Sequence, residues 1–429
     1  MTLVLVVLFG LMLLGIPVAF AILSAGMAYL ATTGGSMLVV AQRLIYGLNS
    51  FTLLAVPLFI LVGNLMDFGG ISKRLTDWAK SILGWLPGGL GIVTVFSCAI
   101  FAALTGSGPA TVAAIGSIML PSMLKAGYSR ETSAGLVASA GALGPIIPPS
   151  IPMIIYGVSM NLSIPAMFMA GVVPGLVIAL ALSLVNVVFA YRNSEVLKHA
   201  KTMKFDFKES MKLFWKALGA LGLPVLILGG IYGGIFTPTE SAAVGIVYAL
   251  ILGFALKELK VKDLPKILIN SLKTSTMVNF IIAAASLFSW VVSKSQIGIV
   301  ISNAFISFVG GSQALYLFVL VVVLLIVGCL MDNVAATLIL APILIPVGIA
   351  LGCNELHIGM LFCICLVVGF VTPPFGYNLF TAVSISGLNF KQIVKGALPF
   401  LLTEILLLFV FAYVPGIITW LPRLMGYGY

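Results

Sequence analysis

TGSGPATVAAIGSIMLP, residues 105–121, sets three small or flexible residues (Gly106, Ser107, Gly108) and a proline (Pro109) between two apolar runs. Each run is short for a full membrane span. In hydrocarbon, non-helical backbone survives only where it is buried in protein or faces a wet cavity. If the chain lies in a bilayer, this stretch reads as the tip of a re-entrant helical hairpin.

Composition puts it there. The chain is 61% hydrophobic over 429 residues and 8% charged, with a mean hydropathy of +1.22. No soluble chain of this length hides so much apolar surface. Span candidates at the ~20 apolar residues that a hydrocarbon core requires fall at 3–30, 53–66, 134–158, 164–191, 218–236, 242–256, 277–292, 358–385 and 398–420. The first has no basic flank or small-residue cleavage site, so it reads as a retained anchor.

The net charge of +10 raises nucleic acid as a partner, but its distribution points to a membrane surface. Lys198, Lys201, Lys204, Lys208, Lys212 and Lys216 recur every three or four residues between two spans, as on an amphipathic helix at cytoplasmic, anionic headgroups. With that loop inside, only Arg43, Lys294 and Arg423 of the 22 basic residues fall outside, which is the asymmetry of the positive-inside rule. The count closes only if 88–124 and 314–351 each enter and leave on one side, and it puts the C-terminus outside.

An internal repeat supports this. At a shift of 225 residues, Pro121 meets Pro346, Gly127 meets Gly352, Gly144 meets Gly369, Pro148 and Pro149 meet Pro373 and Pro374, Gly171 meets Gly396, and Pro174 meets Pro399. Ser107 falls on Asp332 and Gly108 on Asn333. The two hairpins are entered from opposite sides, so the copies are inverted. The expected architecture is an all-α integral membrane protein: a first repeat over 1–191 (hairpin 88–124, broken helix 131–159), a basic connector over 192–217, and a second repeat over 218–429 (hairpin 314–351, broken helix 358–387). Inverted repeats with interrupted helices are the plan of a secondary transporter with midplane sites.

The interruptions are GPIIPPSIPM (144–153) and GFVTPPFGYN (369–378). Paired prolines remove two donors and disfavour helix just before them. The freed carbonyls, with nearby hydroxyls, suit a hard cation such as Na⁺. Two Na⁺ sites are expected, each between a hairpin tip and the opposed break: Thr105, Ser107, Gly144, Ile147 and Pro149, and Gly328, Asp332, Gly369, Thr372 and Pro374. Packing around a crowded centre is the other reading of the prolines.

The runs TGSGPATVAAIGSIMLPSMLKAGY, SAGALGPIIPPSIPMIIYG, GGIYGGIFTPTESAAVG and TPPFGYNLF resemble the large membrane subunit of tripartite ATP-independent periplasmic (TRAP) transporters over essentially the whole chain. The resemblance implies a Na⁺-driven importer of organic anions in a bacterial inner membrane, with an elevator motion. It also implies a small four-helix membrane subunit and a periplasmic substrate-binding protein as partners. Sialic acid is expected ahead of C4-dicarboxylate. No prosthetic group and no enzymatic step are expected.

Other polar residues complete the reading. Ser107 and Ser150 face the expected cavity as substrate ligands, or are back-bonded to their own helices. Asp332 is a carboxylate at membrane depth, where function is the default, and Asn378 follows the second break as a donor to a substrate carboxylate or as packing. TPTE at 237–240 reads as a capping box with Glu240 at its third helical position. Glu404 and Asp67 are placed near span ends, His199 and His357 in loops, and the five cysteines in reduced packing. An intramembrane serine protease using Ser107 lacks a histidine within a span. A passive channel or an ion-only exchanger shares the midplane carbonyls and stays open as the alternative.

Overall fold

The computed structural model describes residues 2–428, and every regular element among them is helical. Seven helices are long and apolar enough to cross a membrane, or eight if the bent pair Leu38–Leu48 and Thr52–Phe68, which meet at 69°, forms one span. The first hairpin has arms Gly89–Thr105 and Gly108–Lys125, followed by half-helices Arg130–Gly141 and Ile151–Met160 and the long helix Ile164–Tyr191. A shift of 225 residues carries these onto Gln313–Leu330, Asn333–Ala350, Glu355–Gly369, Tyr377–Ser386 and Phe390–Tyr413, with each start matched to within one residue.

The breaks follow from local chemistry. Gly106 closes the first arm in the left-handed region (φ 59°), its N–H bonded to the Ala102 carbonyl, which a side chain would strain. Ser107 is extended, and Pro109 opens the second arm where its missing N–H costs nothing. The second tip reaches the same turn by different means. Met331 is extended and Asp332 caps Asn333–Ala350, its carboxylate accepting the Val334 N–H at 2.8 Å. Both Pro-Pro bonds, Pro148–Pro149 and Pro373–Pro374, are cis.

The two repeats meet backbone to backbone. Half-helix Arg130–Gly141 lies along Phe390–Tyr413, where a Cβ on Gly396 would strike the Glu131 carbonyl and one on Gly135 the Gly396 backbone. Small residues are how membrane helices approach this closely.

Several expectations change. The anchor at 3–30, for which the sequence leaves one crossing or two open, is two helices, Thr2–Leu13 and Val18–Thr33, packed on each other. The turn between them contains Gly15 at φ 80°, a conformation that ends a helix. The basic connector is likewise not one helix: Ser194–Thr202 ends, and Asp206 caps Phe207–Tyr232 by accepting the Lys208 and Glu209 N–H groups at 2.8 and 3.2 Å. Lys208, Lys212 and Lys216 therefore ride on the first turns of a span. The 398–420 candidate ends at Tyr413, and a separate helix Gly416–Leu424 follows. The capping box at Thr237 and Glu240 is present as read.

Gly396→Ala or Gly135→Ala should destabilise the purified protein by about 1–3 kcal/mol, the cost of overpacking. Gly10→Ala, inside a helix and with nothing within 4 Å of the added carbon, should keep or slightly raise the melting temperature, since alanine is the better helix former. Equal melting temperatures for all three in detergent would show that the crossing tolerates separation.

Candidate functional site

Both tips and both breaks converge on one cavity of about 340 Å³. Thr105 to Ala110 line it from the first tip, Asp332, Asn333 and Val334 from the second, Pro145, Ile151 and Pro152 from the first break, and Phe370 and Tyr377 from the second. The opposite wall is Asn64 and Asp67 of helix Ala55–Phe68, with Thr274 and Val278 of the long helix Leu264–Lys294.

Four helices begin at this cavity: Gly108–Lys125, Ile151–Met160, Asn333–Ala350 and Tyr377–Ser386 each contribute their first residue to its wall. Helix starts carry unpaired N–H groups and partial positive charge. The only acidic or basic side chains among the described lining residues are two carboxylic acids, Asp67 and Asp332. The cavity thus offers the positive ends of four helix dipoles and two carboxylic acids, with no lysine or arginine among its described lining residues.

The residues expected at the first cation site fall around one contact. There is no room for a side chain on Gly144, whose Cβ would lie 2.6 Å from the Ser107 carbonyl oxygen, or on Gly106, where it would lie 2.8 Å from that of Pro149. Tip and break are pressed together with these carbonyls at the seam. The Thr105 hydroxyl pairs with that of Thr111 at 3.1 Å, and the Thr111 hydroxyl also donates to the Ser107 carbonyl at 2.8 Å. Ser107 lines the cavity and its hydroxyl caps nothing. Ile147 lies elsewhere, its side chain set against Gly175 on Ile164–Tyr191.

At the second site, Gly328 and Gly369 are in backbone contact, a Gly369 Cβ falling 2.6 Å from the Gly328 Cα. Asp332 lines the cavity while capping its helix. Thr372 and Pro374 are outside the cavity wall, and the Thr372 hydroxyl donates to the Val368 carbonyl at 3.1 Å.

Of the four expected substrate ligands, Ser107, Ser150, Asp332 and Asn378, two have other work. The buried Ser150 hydroxyl donates to the Pro145 carbonyl and caps Ile151–Met160, so it closes the break. Asn378 is fully buried, away from the cavity wall, and donates to the Ala138 carbonyl at 3.0 Å. Its Oδ1 would lie 2.7 Å from a Cβ on Gly108, so Asn378 joins the second break to the first hairpin.

Residues read as peripheral move inward. Asp67 lines the cavity, the wall continuing one residue past the span candidate that ended at Met66. Asn333, given no role from sequence, is 2% exposed, and neither atom of its amide has a hydrogen-bond partner. Glu404 is not at a span end within reach of headgroups: it is 1% exposed in the middle of Phe390–Tyr413, with both carboxylate oxygens unpartnered. His357 is in a helix, not a loop, buried with its Nε2 2.8 Å from the Phe411 carbonyl; His199 is likewise helical, in Ser194–Thr202. All five cysteines are buried and unpaired.

Paired hairpins and paired broken helices around one shared cavity are the fold of a secondary transporter. Solved structures agree on fold: a YdaH transporter from Alcanivorax borkumensis (TM-score 0.59, 14% identity, covering 94% of this chain and 89% of that one) and MtrF from Neisseria gonorrhoeae (TM-score 0.62, 15% identity, 91% and 85%). Residues 5–417 match the family described as tripartite ATP-independent periplasmic transporter, DctM component. The chain belongs to that family. Among its relatives are the C4-dicarboxylate TRAP transporter large permease of Pseudomonas aeruginosa (39% identical, 94% of each chain) and the sialic acid TRAP transporter large permease of Vibrio cholerae (34%, 98% of each). The isethionate permease DctMQ of Oleidesulfovibrio alaskensis is 39% identical over 95% of this chain, which spans 64% of that relative's length.

Asp332→Asn keeps a capping side chain, since asparagine caps about as well as aspartate, and removes only the charge. Melting temperature should be unchanged while uptake in proteoliposomes falls by ~100-fold, the scale of a charged ligand worth up to about 3 kcal/mol. Normal uptake would make the carboxylate a cap and nothing more.

Proposed function

We propose that this chain is the large permease of a Na⁺-coupled importer of organic anions, receiving its substrate from a periplasmic binding protein and working with a small four-helix membrane subunit. The observation that carries the proposal is the charge of the cavity, two carboxylates facing four helix starts. An organic anion is attracted by the helix starts and repelled by Asp67 and Asp332. A cation bound at either tip relieves that repulsion, so each ligand raises the affinity for the other by the same factor. The cation sites would draw on Ser107, Asp332 and the carbonyls at the two tip-to-break seams, with Thr105, Thr372 and backbone at Gly144, Gly328, Gly369, Pro149 and Pro374 within the same two regions.

In this reading the hairpins and half-helices move as a block against the wall made by Ala55–Phe68 and Leu264–Lys294, an elevator in the inner membrane with the C-terminus in the periplasm. Relatives named for C4-dicarboxylates stand above those named for sialic acid in identity, so a small dicarboxylate is the first substrate to try and sialic acid the second.

Proteoliposomes carrying both membrane subunits should take up labelled succinate or N-acetylneuraminate only with an inward Na⁺ gradient and the binding protein present. Ser107→Ala should raise the half-saturating Na⁺ concentration severalfold. Uptake that needs neither binder nor Na⁺ would identify a passive channel instead.

A further inference from the structure

A second cavity, about 600 Å³, opens on the far side of the same helices. On Leu264–Lys294, Thr274 and Val278 line the central cavity, whereas Ile282 and Ser286 line the second. On Ile151–Met160 the wall passes from Pro152 to Ile155, and on Asn333–Ala350 from Val334 to Leu338. Each step is about one turn, roughly 5.4 Å. The two cavities are therefore stacked along three shared helices, the second towards Lys294, the end that the charge asymmetry puts outside.

Their charges are opposite. Among its described lining residues the second cavity has no aspartate or glutamate, and its single ionised side chain is Arg43. The Arg43 guanidinium lies 5.6 Å from the Tyr46 ring centroid and 5.5 Å from that of Trp290, which belongs to the facing helix. Among the described residues it forms no ion pair. Stacking on two aromatic faces holds the planar group in one orientation and leaves its edge donors free for a bidentate oxyanion.

Hydroxyls surround it. Ser286, Ser289 and Ser293 recur along one helix face, and Ser50 and Ser159 come from two other elements. Helical serines usually spend the proton on a backbone carbonyl, as Ser271 on the same long helix does at 2.8 Å. None of these five hydroxyls makes a hydrogen bond among the described residues. Gly47 lets the two scaffold helices close around the groove, since a Cβ there would collide with Ser286.

We infer that this groove is a receiving site for the carboxylate of the organic anion, with Arg43 as its charged ligand and the serines as neutral partners, occupied before the anion reaches the central cavity. The inference rests on the proposed import of an organic anion. A block that slides by one or two turns along Leu264–Lys294 brings the hairpin tips alongside Arg43, so the anion passes from a cationic groove to a site whose carboxylates are screened by Na⁺.

Two measurements on the full assembly test it. A Ser289→Cys variant, read against the buried native cysteines, should react faster with an anionic methanethiosulfonate reagent than with its cationic analogue. Arg43→Gln should lower that preference about tenfold, Arg43→Lys should keep it, and added succinate or N-acetylneuraminate should slow the labelling. In uptake assays Arg43→Gln should raise KM about tenfold with kcat changed less than twofold. A reagent preference indifferent to Arg43 overturns the site. Slowing by phosphatidylglycerol in the membrane, but not by either organic acid, also overturns it, assigning the groove to a lipid headgroup. If the preference and the KM effect hold while uptake ignores Na⁺, the receiving site stands and the coupling proposed above falls.

Discussion

Every interruption in this chain answers to one constraint: a backbone N–H or C=O at membrane depth needs a partner inside the protein. The tips and breaks meet it by facing each other. Gly144 against Ser107 and Gly106 against Pro149 bring unwound segments together, and Gly328 against Gly369 brings two helix ends together, where no side chain fits between them. Exposed to lipid, any one of these segments would carry the cost of unpaired polar groups. The cavity is the residue of that arrangement, the space left where four new helices begin and water can reach.

The polarity of the cavity follows from the same geometry. A helix that stops and restarts in mid-membrane presents its new N-terminus to the gap, so four restarts supply positive potential without a basic side chain. The protein is then free to use carboxylic acids there, and it places Asp332 on the second tip and Asp67 on the facing wall. Potential built from backbone leaves no lysine or arginine to trap an anion permanently, which suits a site that must release what it binds.

Much of this was legible in the sequence because the signals were covalent. Glycine and proline punctuate the chain wherever they stand, so the 225-residue shift and both breaks could be read from Pro148–Pro149 and Pro373–Pro374. Thr237 and Glu240 formed the expected capping box because capping is local. What escaped was tertiary. Asn378 is a strut between repeats, a role set by Ala138 and Gly108 as neighbours rather than by the adjacent residues. Glu404 was placed at a span end because hydropathy counts the helix and not its surroundings, whereas the surrounding helices bury it completely. The split of the first 30 residues hangs on one glycine turn, too weak a mark within an apolar run.

Where the first tip has Ser107, the second has Asp332, although the backbones around them superimpose in helix bounds and in proline geometry. Thr105 to Pro109 and Leu330 to Val334 differ at all five positions, and Asp332 is the one carboxylic acid among the ten residues. Exchanging the two repeats therefore does not return an equivalent object: the first tip sets a hydroxyl on the cavity wall where the second sets a carboxyl group, and the two sides of one cavity differ in chemistry although they agree in fold.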